Sequence, residues 1–160
     1  MQNFHRKVNK EMRRRAIILD LDGVILNTEP IFKELLIQDL KGDAKWDYFC
    51  ENCNREDIEL IPGFKDFYRV LTNALPLAII ISTARNEKCR QATIEKLLKE
   101  HVVFDHLYMR TDGDYRPSQE IKKEHLQDIM KNYEVVGFVD DDLNNCEAAK
   151  ELGILALRRV

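Results

Sequence analysis

Ala16-Ile17-Ile18-Leu19-Asp20-Leu21-Asp22-Gly23-Val24 is an apolar run that ends in two acids one residue apart. Four successive apolar residues read as a strand buried on both faces, the habit of a parallel sheet. Because side chains alternate along a strand, Asp20 and Asp22 fall on the same side of the pleat, at the sheet's carboxyl edge, where ligands of such sheets bind. Two carboxylates that close repel unless a cation sits between them. Taken alone the pattern is weak, because acids often follow strands simply to solvate a turn.

The same alternation of short apolar runs with amphipathic stretches continues along the chain. Residues 16–21, 77–82, 107–110, 135–139 and 154–157 read as strands. Helical spacing links Phe64, Phe67, Tyr68 and Leu71, then Ile94, Leu97 and Leu98, then Ile121, Leu126, Ile129 and Met130. Gly153 stands where a helix begun near Asn145 should stop. Strand and helix in turn predict an α/β fold with a doubly wound parallel sheet. Between Asp22 and Leu77 there is room for more than one crossover helix. Residues 27–62 are therefore expected to form a small helical insert over the sheet's carboxyl edge, with Thr28 capping its first helix, Pro30 in the first turn, and Trp46 and Phe49 as its core. Residues 1–15 carry six Lys/Arg against one Glu and read as a basic tail preceding a domain of residues 16–160.

A length of 160 residues, 44% apolar and 33% charged, suits one globular domain. A net charge of -3 argues against indiscriminate nucleic-acid binding, so such a partner would be held by local patches. No stretch is long and clean enough to span a membrane. Cys50, Cys53, Cys89 and Cys146 are read as free thiols of a cytoplasmic protein. Cys50 and Cys53 have the spacing of half a zinc site that nothing else in the sequence completes. His125, at helical spacing with Ile121 and Ile129, reads as a core residue.

Later strand ends supply further groups. Ser82, Thr83 and Arg85 follow Ile79-Ile80-Ile81, and Lys122 falls in the first turns of a helix begun near Ser118. Asp140-Asp141-Asp142 follow Val139. Hydroxyls there commonly cap helices, lysines on helices commonly face water, and one or two acids can solvate a turn. Three acids together point to a cation that offsets their repulsion.

The order acid-x-acid, Thr, Lys, paired acids over residues 16–157 resembles the four motifs of the haloacid dehalogenase (HAD) superfamily of phosphatases, with its Rossmann-like core. The resemblance implies Asp20 as nucleophile, Asp22 as general acid and base, Thr83 as phosphate-binding hydroxyl and Lys122 as charge-balancing cation. It implies a Mg2+ site built by Asp20, Asp140, Asp141 and the backbone carbonyl of Asp22. Thr83-Ala84-Arg85, Arg90-Gln91-Ala92-Thr93 and the stretch from Leu107 to Pro117 are similar to the phosphatase domain of phage-type polynucleotide kinase/phosphatases, which remove 3'-phosphates from nucleic-acid ends. No G-x-x-x-x-G-K-[ST] string is present for the kinase reaction. Departures are the longer insert, Val24 where Thr is frequent, and Ala84 where Gly is frequent. The substrate implied is a DNA or RNA 3' end in nucleic-acid repair, with Gly23, Arg85, Arg110 and Arg116 as its contacts. A free nucleotide or other small phosphate ester is the alternative, and a non-catalytic interaction module is disfavoured because every catalytic side chain is present.

Overall fold

The computed structural model describes residues 13–74 and 76–160. Its strands are β1 (Arg14–Leu19), β2 (Leu77–Asn86), β3 (His106–Arg110), β4 (Tyr133–Asp140) and β5 (Ala156–Arg158). They form one parallel sheet in the order β3-β2-β1-β4-β5. Helices α1 (Glu29–Gln38), α2 (Gly42–Asn52), α3 (Phe64–Asn73), α4 (Arg90–Lys99), α5 (Ser118–Asn132) and α6 (Leu143–Glu151) connect them, with a 3-10 turn at Glu87–Cys89. This is the α/β doubly wound parallel sheet that the apolar runs predict.

Period-2 alternation divides the core into two layers. Ile17, Leu19, Ile79 and Ile81 point to one face of the sheet, into a cluster with Phe49, Phe64 and Leu97. Ala16, Ile18, Ala78 and Ile80 point to the other, against Leu126, Ile129, Phe138 and Ala149. Both faces are covered, which is why the strands are continuously apolar. β1 begins at Arg14, two residues before the apolar run, because the Arg14 and Arg15 backbones pair with Tyr133 and Glu134 while their charged ends reach Asp105 and Glu134. The basic segment before residue 13 lies outside the described residues.

From β1 the chain runs outward to β2 and β3 on one side, then crosses to β4 and β5 on the other. The carboxyl ends of β1 and β4 therefore flank the switch point where a doubly wound sheet opens a crevice. Asp20 lies there, its N–H donating to Val139 O at 2.8 Å, and Asp140 closes β4 opposite.

The excursion after Asp22 is pinned at its base. Leu26 bridges Leu60, Asn27 N–H donates to Glu59 O at 2.8 Å, and Ile61 N–H donates to Ile25 O at 2.9 Å. Two sequence expectations need correction here. Thr28 occupies the cap position of α1 but its side chain makes no cap bond; the neighbouring Asn27 Oδ1 instead accepts from Glu29 N–H at 3.3 Å. The four cysteines are not all free thiols: Cys50 and Cys89 are joined, with Cα atoms 4.7 Å apart, while Cys53 and Cys146 are free and buried. The partners are 39 residues apart and meet only because α2 packs against the turn that leaves β2. The disulfide removes Cys50 from the half zinc site and withdraws the thiol argument for a reducing compartment. No helix among the described residues is long and apolar enough to cross a membrane.

Candidate active site

Lys122 explains why a lysine can lie inside a helix-covered sheet. It is 1% exposed, and its ammonium donates to Asp20 Oδ1 at 2.5 Å and to Ser82 O, with Asp140 Oδ2 at 3.4 Å. Asp20 and Asp140 are themselves buried. A buried ammonium survives only when paired in this way. Burial works against the charge on Lys122, but Asp20 and then Asp140 outweigh it and raise its pKa. Burial pushes Asp20 up to about 7, against the pull of Lys122, with Asp140 and Asp22 adding to the rise. The two directions agree physically: several carboxylates share one ammonium, so the lysine stays charged and the excess negative charge is felt by the acids.

Oxygens of Asp20, Asp140 and Asp141 lie within 4.8 Å of one another. Asn145, from α6, donates to both Asp140 oxygens at 3.1 Å, while its own buried Oδ1 has no partner. An all-oxygen set with surplus negative charge and a spare acceptor for a coordinated water fits a hard divalent cation such as Mg2+. The third acid of the triplet does something else. Asp142 caps α6, accepting from Asn144 N–H at 2.7 Å. Gly23 holds φ +86°, and a Cβ there would run into the Asp141 carboxylate, so the acid-x-acid-Gly turn can approach β4 only with glycine.

Asp22 faces a different cation. Arg85 is 1% exposed and grips Asp22 with a fork, Nε to Oδ2 at 2.9 Å and Nη2 to Oδ1 at 2.6 Å. Its Nη1 donates to Thr93 Oγ1 at 2.9 Å, and the guanidinium carbon lies 4.9 Å from the centre of the Phe49 ring. Phe49 thus belongs to the insert's core and also forms the bed for Arg85. Thr83 is buried and accepts from Arg85 N–H at 3.1 Å, which leaves its own hydroxyl proton to donate.

Arg110 and Arg116 organise the loop after β3. Arg110 donates to Ala84 O at 2.9 Å, Asp114 O at 3.0 Å and Arg116 O at 2.6 Å. Arg116 pairs with Asp114 at 2.6 Å and Glu124 at 2.8 Å. A cleft of about 400 Å³ opens beside the carboxylates, walled by Asp22, Gly23, Thr28, Phe32, Asp141 and Arg159. A larger hollow of about 1110 Å³ follows the outer edge of β3 and is lined by none of Asp20, Asp22, Asp140 and Asp141, so the smaller one is the candidate site. Arg159, which sequence reasoning passed over, donates to Gly23 O at 3.0 Å, and Arg158 donates to Asp141 O at 3.1 Å. Nothing in the local sequence marks these arginines or Asn145; only the pairing of β5 with β4 and the pitch of α6 bring them in.

His125 is a core residue, hydrogen-bonded to Ser82 Oγ at 2.9 Å and Met109 O at 3.1 Å. Burial first, and the nearby Lys122 charge second, lower its pKa to about 4. The folded protein therefore keeps it neutral while the unfolded chain takes up a proton below about pH 6.5, so stability falls as pH drops from about 6.5 toward 4, by at most about 1.4 kcal/mol per pH unit. Thermal melts across that window should show this loss, and His125→Gln should flatten it. An unchanged slope in the variant would assign the acid sensitivity to other groups.

A family model described as HAD superfamily, subfamily IIIB (acid phosphatase), matches residues 1–158. Among solved structures, two chains of the Pnkp1/Rnl/Hen1 RNA repair complex superpose with TM-scores of 0.72 and 0.71 at 22% and 23% identity. They cover 92% of this chain, which spans only 42% and 46% of theirs. The class C acid phosphatase from Bacillus anthracis superposes with a TM-score of 0.62 at 20% identity, covering 95% of this chain and 67% of that one. At such identities the likeness is one of fold. No curated protein matches the chain. With the family match running over nearly all of its length, and with acids, hydroxyl and lysine gathered at the carboxyl edge of the sheet, this chain belongs to the HAD superfamily, in the acid phosphatase subfamily IIIB.

Proposed function

We propose that this phosphatase removes a terminal 3'-phosphate from a polynucleotide through an aspartyl-phosphate formed on Asp20. The observation that carries the chemistry is the meeting of Asp20, Lys122 and Asp140 in one buried cluster, with Asp22 just beyond β1 and Thr83 near the end of β2. Asp20, Asp140 and Asp141, with the carbonyl of Asp22, would hold Mg2+. When bound, the ion offsets the repulsion between an anionic nucleophile and a phosphate dianion. Asp20 displaces the sugar oxygen. Asp22 protonates that poor leaving group, then takes a proton from the water that hydrolyses the aspartyl-phosphate. Thr83 and Lys122 stabilise the equatorial phosphoryl oxygens. The polynucleotide end is supported by the likeness of residues 107–117 to polynucleotide phosphatases and by the shared fold with chains of an RNA repair complex.

A second reading keeps the chemistry and takes a nucleotide or another small phosphate ester as substrate. The acid phosphatase family match favours it. Phosphate release separates the two: a 3'-phosphorylated oligonucleotide should show a higher kcat/KM than the matching 3'-mononucleotide, and EDTA should abolish both activities until Mg2+ is restored. Equal or better turnover of the mononucleotide would transfer the assignment to the small-ester reading. Turnover that persists in EDTA would remove the metal from the scheme.

A further inference from the structure

Arg85 and Arg116 spend their charge within the protein, on Asp22 and on Asp114 with Glu124. Two other cations beside the insert do not. Lys45, on α2, has its Nζ 5.2 Å from the centre of the Trp46 ring, and the guanidinium carbon of Arg110 lies 5.9 Å from the same ring. Neither has an acidic partner within 4 Å among the described residues, and nearby acids are committed elsewhere. Lys88 takes Asp47 at 3.0 Å and Tyr115 takes Asp43 at 2.6 Å. Arg110 uses Nε and Nη1 on backbone carbonyls, which neutralise no charge. The indole face attracts each cation only weakly, by about 0.5–1 kcal/mol at exposed sites. Lys45 is half-buried, and that burial together with the Arg110 charge lowers its pKa, the signature of an ammonium short of an anion.

Position gives this unpaired charge a use. Arg110 Nε holds the carbonyl of Ala84, the residue directly after Thr83, so Arg110 borders the end of β2 that carries the phosphate-binding hydroxyl, and Lys45 approaches the same Trp46 ring. We propose that Lys45 and Arg110 form a second anion subsite, which takes the 5'-phosphodiester of the terminal nucleotide while its 3'-phosphate lies at Asp20. The identity of that anion rests on the polynucleotide reading; the need for an anion does not. The insert then does more than cover the site, since its helix α2 delivers the lysine that tells a chain end from a phosphate with nothing beyond it.

Thymidine 3',5'-bisphosphate and thymidine 3'-monophosphate carry the two phosphates and the one. Each is titrated with Mg2+ into the full chain carrying Asp20→Asn, so that ligand is not consumed, and binding is followed by calorimetry and by emission of Trp46, the only tryptophan. The bisphosphate should bind about tenfold more tightly, Lys45→Met should bring the ratio close to one, and Lys45→Arg should preserve it. Circular dichroism of each variant checks its fold. Equal affinities in the unmodified subsite, or a preference that survives Lys45→Met in a folded protein, would overturn the proposal. A preference that is lost as expected, in an enzyme that does not favour oligonucleotides, would keep the subsite and discard the polynucleotide reading.

Discussion

Asp20→Asn is expected to reduce phosphate release on the order of 10⁴-fold or more, since the amide cannot displace the sugar oxygen. The fold should survive. Lys122 keeps Asp140 as a partner at 3.4 Å, and replacing a buried carboxylate by a neutral amide removes a group whose charge burial, with Asp140 and Asp22 beside it, already disfavours. Rapid-quench phosphate release, paired with mass spectrometry for the acyl-phosphate on the unmodified enzyme, makes the test complete. Substantial turnover by the variant would exclude Asp20 as nucleophile.

The second large effect is expected at Arg85. Replacement by Met keeps a stem beside Phe49 but removes the fork from Asp22 and the donor from Thr93. Breaking a buried pair costs about 3–5 kcal/mol when the remaining charge stays buried. Asp22 is 17% exposed, so water can recover part of that and the loss should fall at or below the lower end. The rate effect carries more information. If Arg85 orients Asp22 as the acid, Arg85→Met should lower kcat about 10²-fold for a sugar phosphate, whose leaving oxygen needs a proton, and far less for p-nitrophenyl phosphate, whose leaving group does not. Arg85→Lys keeps the charge without the fork and should fall between. Equal losses on both substrates would show that Arg85 grips the phosphate itself.

How much of this was legible depends on the range of the interaction. The strands were, because Ile17-Ile18-Leu19 and Ile79-Ile80-Ile81 have no polar face to offer water and must be covered on both sides. Asp20 and Asp140 were legible because each follows an apolar strand run and so falls at the carboxyl edge, whereas Lys122, on a helix where lysines commonly face water, was singled out only by the resemblance to HAD phosphatases. The acidic triplet was legible only in part: its last member satisfies a helix end, a local duty that looks the same in sequence as a ligand. Contacts set by how the insert packs were not legible. The Cys50–Cys89 link, the Phe49 bed under Arg85, and the Trp46 ring beside Arg110 each join α2 to the carboxyl end of β2 or β3 or to the turn that leaves β2, and no spacing rule connects such positions. Arg85 could be named as important, but its partner could not.

The placement of β1 between β2 and β4 also sets when the centre can exist. Asp20 and Asp22 leave the ribosome before Lys122, Asp140 and Asn145, which arrive on α5, β4 and α6 after β3 has been made. A nascent chain through β3 holds the acids without the ammonium or the facing carboxylates, so it can neither retain an ion nor process an ester before the final strands dock. The same long-range closure makes any ligand of the centre a clasp on the whole sheet. An ion or phosphate present at a hundred times its Kd would add about 2.7 kcal/mol to global stability, because the folded centre binds it and the unfolded chain, in which these distant segments have parted, does not.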